Sequence, residues 1–170
     1  DSLAPDDSPE KITYTFLHDR VQQAAYTLIS KEQKQATHLK IGQRLLDHSS
    51  ESAREENLFE IVNHLNIGTA LITEPTQRSG LSQLNLRAGQ KAKASTAYST
   101  AIEYLRMGIS LLKPDCWQSQ YLLTLSLYEA AAEAALLCGE LAQMEQWADV
   151  VLTESTAPSD RVKIWEIQIQ

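Results

Sequence analysis

The longest regular pattern of apolar and polar positions lies between Leu84 and Leu112. Apolar and small residues recur there every three or four positions, as on one face of an α-helix, with a short polar break before Ala97. Gly89 and Gly108 fall inside these stripes, where a glycine costs roughly 1 kcal/mol of helix propensity. A glycine kept at that cost usually marks a close approach of two helices. The stretch therefore predicts two helices that pack against each other along one seam.

A second pair of helices with similar spacing follows the first. Its small and apolar positions are Ala131, Ala132 and Ala135, then Gly139 at the turn, then Leu141, Met144, Ala148 and Val151. The small and large positions of both pairs resemble a tetratricopeptide-like (TPR-like) repeat. The interval from Gly89 to Ala132 is 43 residues, whereas a tetratricopeptide repeat has about 34 and HEAT or armadillo repeats have roughly 40–47. We therefore expect extended hairpins, and the default use of such a stack is protein binding.

The rest of the chain also shows mostly helical spacing. Predicted helices run over Lys31–His48 and Trp117–Cys138, with Glu140–Glu154 as the partner of the latter; the polar stretch 49–57 reads as a hinge. Apolar faces are expected at Val21, Ala24, Ala25, Leu28 and Ile29, at Leu58, Ile61, Val62 and Leu65, and at Val162, Trp165 and Ile169. The predicted fold class is all-α, with antiparallel helical hairpins stacked as a TPR-like right-handed superhelix.

The beginning of the chain differs from the rest. Ile12, Tyr14 and Phe16 alternate with polar residues, which predicts one short strand. A single strand cannot satisfy the hydrogen-bonding groups of its own backbone, so we expect it to pair with something outside this chain. We interpret residues 1–18 as a lead-in, and residues 19–170 as the repeat domain, whose unfinished last pattern predicts that the repeats continue beyond the C-terminus.

Composition excludes several classes of protein. The chain has 170 residues, 43% of them hydrophobic, and a net charge of -7, which argues against nonspecific binding to nucleic acid or an anionic membrane. It has no run of 18 consecutive apolar residues, and its acidic start is unlike a signal peptide. We expect a soluble cytoplasmic domain. Cys116 and Cys138 lack metal or redox spacing, so they are interpreted as two reduced thiols.

Candidate catalytic and metal residues are few. His18 and Asp19 form an adjacent imidazole and acid, but no Ser or Cys nucleophile lies nearby, so a helix cap or a packing role is favoured. His38, His48 and His64 do not share one helix at a spacing of four residues, and no HExxH motif is present. The sequence therefore predicts no catalytic residue, no metal site and no cofactor.

The distribution of charge is more informative. Between Arg78 and Lys113 six basic residues stand against Glu103 alone, whereas every ionised residue between Pro114 and Asp160 is acidic. Two interpretations remain open: the hairpins attract each other across the stack, or the surface steers a partner. In a TPR-like alignment the first helix of each hairpin lines the concave face. That alignment brings together the candidate groove residues Gln83, Leu86, Gln90, Lys93, Ser126, Glu129 and Glu133.

Several blocks of the chain, in order, resemble one family of large bacterial signalling proteins. They are YTFLHDRVQQAAYTLI, HLKIGQRLL, IVNHLN, LNLRAGQKAKASTAY, AIEYLRMGISLL and LYEAAAEAA. The family is that of the multi-sensor signal transduction multi-kinases, frequent in cyanobacteria, which join a serine/threonine kinase, an AAA/STAND-type ATPase, helical repeats, a GAF domain and often a histidine kinase. The resemblance implies that Phe16-Leu17-His18 closes the winged-helix part of the ATPase module and leads into the repeats.

The resemblance implies a noncatalytic protein-interaction and domain-coupling scaffold. Its expected partners are flanking ATPase or GAF modules of the same parent, or another signalling protein. The chain contains no Gly-rich phosphate loop, HRD-type loop or DFG motif, so kinase or ATPase activity would belong to other parts of such a parent. The alternative is the helical sensor arm of a STAND-type transcription regulator, which would bind a small effector in its groove.

Overall fold

The computed structural model describes residues 26–169, nearly all in helices. Within that range the elements are α1 (Lys31–His48), α2 (Glu51–Glu56), α3 (Leu58–Ile67), a 3-10 turn (Thr69–Leu71), α4 (Pro75–Ala94), α5 (Tyr98–Ser110), α6 (Cys116–Ser119), α7 (Tyr121–Cys138), α8 (Leu141–Glu154) and α9 (Pro158–Ile169). The predicted strand, the lead-in and the His18–Asp19 pair lie outside the described residues, as does most of the helical face that begins at Val21.

The helices pack as hairpins, each beside its neighbours in sequence. α1 packs on α3, α4 on α5 and α7 on α8; α3 then contacts α4, α5 contacts α7, and α8 contacts α9. The prediction of an all-α fold built from helical hairpins is confirmed over the described residues. The right-handed TPR-like superhelix stays a prediction.

Local sequence accounts for where these helices begin and end. Ser30 caps α1, since its hydroxyl accepts from the Gln33 amide while the Gln33 side chain accepts from the Ser30 amide, the two halves of a capping box. Pro75 occupies the first turn of α4, where its missing N–H costs nothing. α7 ends at Gly139, whose φ of 81° is left-handed and favours glycine.

Apolar helix faces that the sequence predicted are buried in the core. Leu58, Ile61, Val62 and Leu65 of α3 are all buried. The larger of two apolar clusters runs from α3 to α9 and includes five buried alanines of α7, namely Ala130, Ala131, Ala132, Ala134 and Ala135. Their small side chains let α5, α8 and α9 approach α7 closely.

Several predicted features are wrong in detail. The single helix from Trp117 to Cys138 is interrupted at Gln120, whose φ and ψ of -140° and 40° are not helical. The break is stabilised by Thr124, whose hydroxyl lies 3.3 Å from the Cys116 carbonyl and 3.0 Å from that of Gln120. The stretch predicted as a hinge contains α2, and Leu141 is exposed rather than packed.

The apolar stripe predicted on the last helix faces outward. Val162, Trp165 and Ile169 are 47%, 47% and 84% exposed, while Ile164 and Ile167 on the other side of α9 are buried. Both sets have helical spacing, but only the side with Ile164 and Ile167 packs against the neighbouring α7 and α8. α9 therefore presents an apolar face to its surroundings.

One described helix, α7, is long and apolar enough to cross a membrane by length and composition alone. It packs against α5, α8 and α9, and the core helix of a soluble protein passes the same test.

Candidate functional site

The predicted groove residues lie on the first helices of two successive hairpins. Gln83, Leu86, Gln90 and Lys93 are on α4, and Ser126, Glu129 and Glu133 are on α7. α4 packs beside α7, and α7 packs beside α9. We call the side of α4 and α7 that carries these residues, together with the adjoining side of α9, the first-helix face.

Two ion pairs join the helices of the first-helix face. Lys93 Nζ lies 2.5 Å from Glu133 Oε2, and Lys163 Nζ of α9 lies 3.3 Å from Glu129 Oε2. The Lys93 and Glu133 side chains are only 22% and 34% exposed, so solvent screens this pair less than one on the open surface. The structure thus brings Lys93 and Glu133 together, and pairing them reduces the field that either could extend toward a partner.

Other residues of the basic run also contact neighbouring hairpins. Arg87 donates to the Glu55 carboxylate of α2, and Lys91 donates to the Glu55 carbonyl. On the other side, the Arg106 guanidinium lies 5.8 Å from the centre of the Trp147 ring of α8. Many of the basic side chains therefore interact with other helices of the stack.

A cleft opens at one end of the first-helix face. Its volume is about 500 Å³, and its lining includes Gln83, Ser79 and residues 118–123. Gln120 Nε2 donates to Ser79 Oγ at 2.6 Å, which bridges α4 to the break before α7. Gln83 and Gln90 are exposed, whereas Leu86 is half-buried. The exposed part of the groove is thus mainly amide groups.

A second, more apolar cavity lies between α1 and α4. It has a volume of about 490 Å³, and eight aliphatic side chains line it, among them Leu39, Leu46, Ile61, Leu65 and Leu81. Its polar lining comes from Gln43 and Asp47 of α1, Arg54 of α2, and Gln77 and Arg87 of α4. Sequence reasoning missed this cavity, because it arises where α1 and α4 diverge on either side of α3.

Two histidines meet at the crossing of α1 and α3. His38 Nδ1 lies 2.7 Å from His64 Nδ1, and Tyr26 Oη lies 2.9 Å from His38 Nε2. Partial burial lowers the pKa of His38 below its usual range, and the neighbouring His64 lowers that pKa further. Within residues 26–169 no three His, Cys, Asp or Glu side chains are grouped so that they could hold a metal ion.

Buried polar residues of α4 were also missed by the sequence analysis. Asn85 exchanges two 2.9 Å hydrogen bonds with Asn66 of α3, and Ser82 donates to the Gly108 carbonyl of α5 at 2.8 Å. Asn85 lies between Leu81 and Ala88 in the apolar stripe, and a polar residue at a core position was the signal that could have identified it.

Comparison with known proteins finds one curated relative. The chain is 27% identical over 190 residues to part of the hybrid signal transduction histidine kinase G of Dictyostelium discoideum, covering 94% of this chain and 6% of that kinase's length. No protein-family model and no solved structure matches the chain. The similarity supports a signalling-kinase context; the TPR-like repeat region and the cyanobacterial multi-kinase parent stay predictions.

Proposed function

We propose that this chain is a noncatalytic protein-interaction and domain-coupling scaffold within a large cytoplasmic signalling kinase. The similarity to part of a hybrid histidine kinase supports the signalling context. The stacked hairpins support a binding role, because such arrays offer extended surfaces built from a few neighbouring helices. Catalysis would belong to kinase and ATPase modules elsewhere in the parent.

The observation that carries the proposal is that the first-helix face joins its helices by ion pairs and leaves amide side chains exposed. The ion pairs Lys93–Glu133 and Glu129–Lys163 tie α4, α7 and α9 to one another. Gln83 and Gln90 stay exposed on this face, where their amides can donate and accept hydrogen bonds. A surface whose helices are held together pays less conformational entropy when it binds a partner.

The proposed partners are ATPase or GAF modules that flank this region in the parent, or another signalling protein. Because the Lys93 and Glu133 charges are already paired, we expect shape and hydrogen bonds to determine affinity more than charge does. Steering by unpaired rim charges mainly alters association rate and its salt dependence. The association rate of a partner on this face should therefore change only modestly with salt.

The test compares two matched substitutions. Gln90→Arg puts a long charged side chain on the first-helix face, and Gln146→Arg puts the same side chain on exposed α8, a second helix. Each flanking module is titrated against both variants by biolayer interferometry at low and high salt. We expect Gln90→Arg to weaken binding about tenfold or more and Gln146→Arg to leave it unchanged. Failure of every module to bind, or equal effects of the two variants, would overturn the proposal.

A further inference from the structure

The cavity between α1 and α4 differs from the rest of the stack. α4 packs directly on α7, and α7 on α9, whereas α1 and α4 each pack on α3 and leave about 490 Å³ between them. This volume lies within the roughly 300–1,000 Å³ typical of small-molecule pockets. The aliphatic lining comes from three different helices, so a bound molecule would contact α1, α3 and α4 at once.

Arg54 gives this cavity a chemical preference. Arg54 lines the cavity and makes no ion pair with any described residue; its Nε is buried without a hydrogen-bond partner in the described part of the chain. A guanidinium stays charged at any physiological pH, and a buried donor left without an acceptor is costly. The other lining arginine, Arg87, is already paired with Glu55. A carboxylate in the cavity would give the Arg54 side chain the anionic partner that no described residue supplies.

We propose that this cavity binds an aliphatic monocarboxylate, with the hydrocarbon chain against the leucines and isoleucines and the carboxylate against Arg54. A guanidinium and a carboxylate match in geometry and make charge-assisted hydrogen bonds, which are stronger than neutral ones. Asp47 also lines the cavity and would repel a second carboxylate, so a ligand with one negative charge is preferred. This site is separate from the first-helix face and its proposed protein partner.

The consequence of binding would be mechanical. Because α1 and α4 are joined mainly through α3, a molecule that fills the space between them adds contacts that tie the first hairpin to the second. Ligand binding would thus strengthen the contact between the two hairpins. The following hairpins, which pack on the second, could respond to that change.

The experiment uses the full chain with decanoate as the probe and decanol as its uncharged counterpart. Binding is followed by NMR of labelled Leu and Ile methyl groups and by calorimetry. We expect decanoate to shift the methyl signals of Leu39, Ile61 and Leu81 and to bind at least about tenfold more tightly than decanol, a ratio that corresponds to about 1.4 kcal/mol.

Two variants and one control test the assignment. Arg54→Gln should lower decanoate affinity about tenfold and leave decanol affinity unchanged, while Arg44→Gln, a matched change on α1 outside the cavity lining, should alter neither. Gly80→Leu should abolish binding of both probes. Gly80 lines the cavity, and a Cβ built on it meets no atom within 4 Å, so the new side chain has room to enter while the fold is kept.

Three results would overturn the proposal. They are the absence of methyl shifts with either probe, equal affinities that Arg54→Gln leaves unchanged, and shifts confined to exposed residues such as Leu122 and Ile169. Each can occur while a flanking module still binds the first-helix face, so the two proposals fail independently.

Discussion

At the scale of single residues, the two glycines inside the apolar stripes explain how closely the hairpins pack. A Cβ on Gly89 would lie 2.5 Å from Leu105 Cγ, and one on Gly108 would lie 2.7 Å from Leu127 Cδ2. Both distances are shorter than carbon atoms tolerate without a shift. Gly89 therefore sets the approach of α4 to α5, as the sequence predicted, whereas Gly108 sets that of α5 to α7, a contact outside the predicted seam.

Replacing Gly108 with leucine should destabilise the fold. The added side chain overpacks the seam between α5 and α7, and we expect a loss of about 1–3 kcal/mol in the free energy of unfolding. Gly80→Leu, a glycine to leucine change inside a helix with open space around it, should be neutral or stabilising because it gains helix propensity. Denaturant unfolding of both variants measures this. An unchanged midpoint for Gly108→Leu would contradict the described packing.

The histidine pair predicts that stability falls in mild acid. The Nδ1 atoms of His38 and His64 lie 2.7 Å apart, so one must donate while the other accepts. The folded-state pKa of His38 is lowered, so the unfolded chain takes up this proton more readily. The contribution of His38 is then complete above the unfolded pKa of about 6.5 and is lost as pH falls toward the folded pKa.

The measurement is the free energy of unfolding at pH 7.5 and at pH 5.5. His38→Gln should reduce the difference between the two values, because it removes the group whose pKa changes on folding. His48→Gln is the matched control, since His48 is exposed and contacts the Arg44 carbonyl. An equal pH dependence in wild type and His38→Gln would show that other groups cause it.

At the scale of the elements, buried polar side chains fix how one hairpin meets the next. Asn66 and Asn85 exchange amide hydrogen bonds between α3 and α4, and Asn85 also donates to the Leu81 carbonyl at 2.9 Å. Apolar contacts alone tolerate small sliding of one helix along another. A reciprocal amide pair is lost if either helix shifts, so it specifies the register.

A double-mutant cycle on this pair should show strong coupling. Asn85→Ala leaves the Asn66 amide without its partner in a partly buried site, and we expect it to cost about 1–3 kcal/mol. With Asn66 also replaced by alanine, much less should be lost than the sum of the single effects, with a coupling of about 0.5–3 kcal/mol. Strictly additive losses in denaturant unfolding would show that the two amides do not act as a pair.

Helical periodicity was sufficient for most elements of the described range. The bounds of α1, the core face of α3 and the hairpins α4–α5 and α7–α8 follow from apolar spacing, helix caps and glycine turns. On α9 the same spacing fits both the exposed stripe at Trp165 and the buried one at Ile164. Periodicity cannot decide which stripe meets a neighbour, because that depends on packing between hairpins.

The candidate sites were less accessible to sequence reasoning. The pairing of Lys93 with Glu133 follows from aligning the first helices, and the sequence analysis had placed these residues side by side. The cavity beside Arg54 and the break at Gln120 depend instead on how elements diverge or bend. No local pattern encodes a gap between α1 and α4, since the aliphatic residues that line it have ordinary helical spacing and the gap depends on how far the two helices diverge.

At the scale of the whole molecule, two apolar clusters divide the stack unequally. The larger one spans α3 to α9, while the smaller one groups Ile61, Leu65, Ile72, Leu81 and Leu111 beside the cavity. The first hairpin meets the second mainly through α3, whereas the second meets the third through both α4 and α5. This is the part of the fold where a ligand or a partner could add most to cohesion.

The packing of each helix against helices close to it in sequence also affects how the chain acquires its structure. Contacts between sequence neighbours close short loops, which costs less chain entropy than joining distant segments and favours rapid folding. During synthesis each hairpin can form as it leaves the ribosome, with the preceding hairpin already present as a template. Such order of assembly limits the time for which the alanine-rich α7, with few polar groups of its own, stays uncovered.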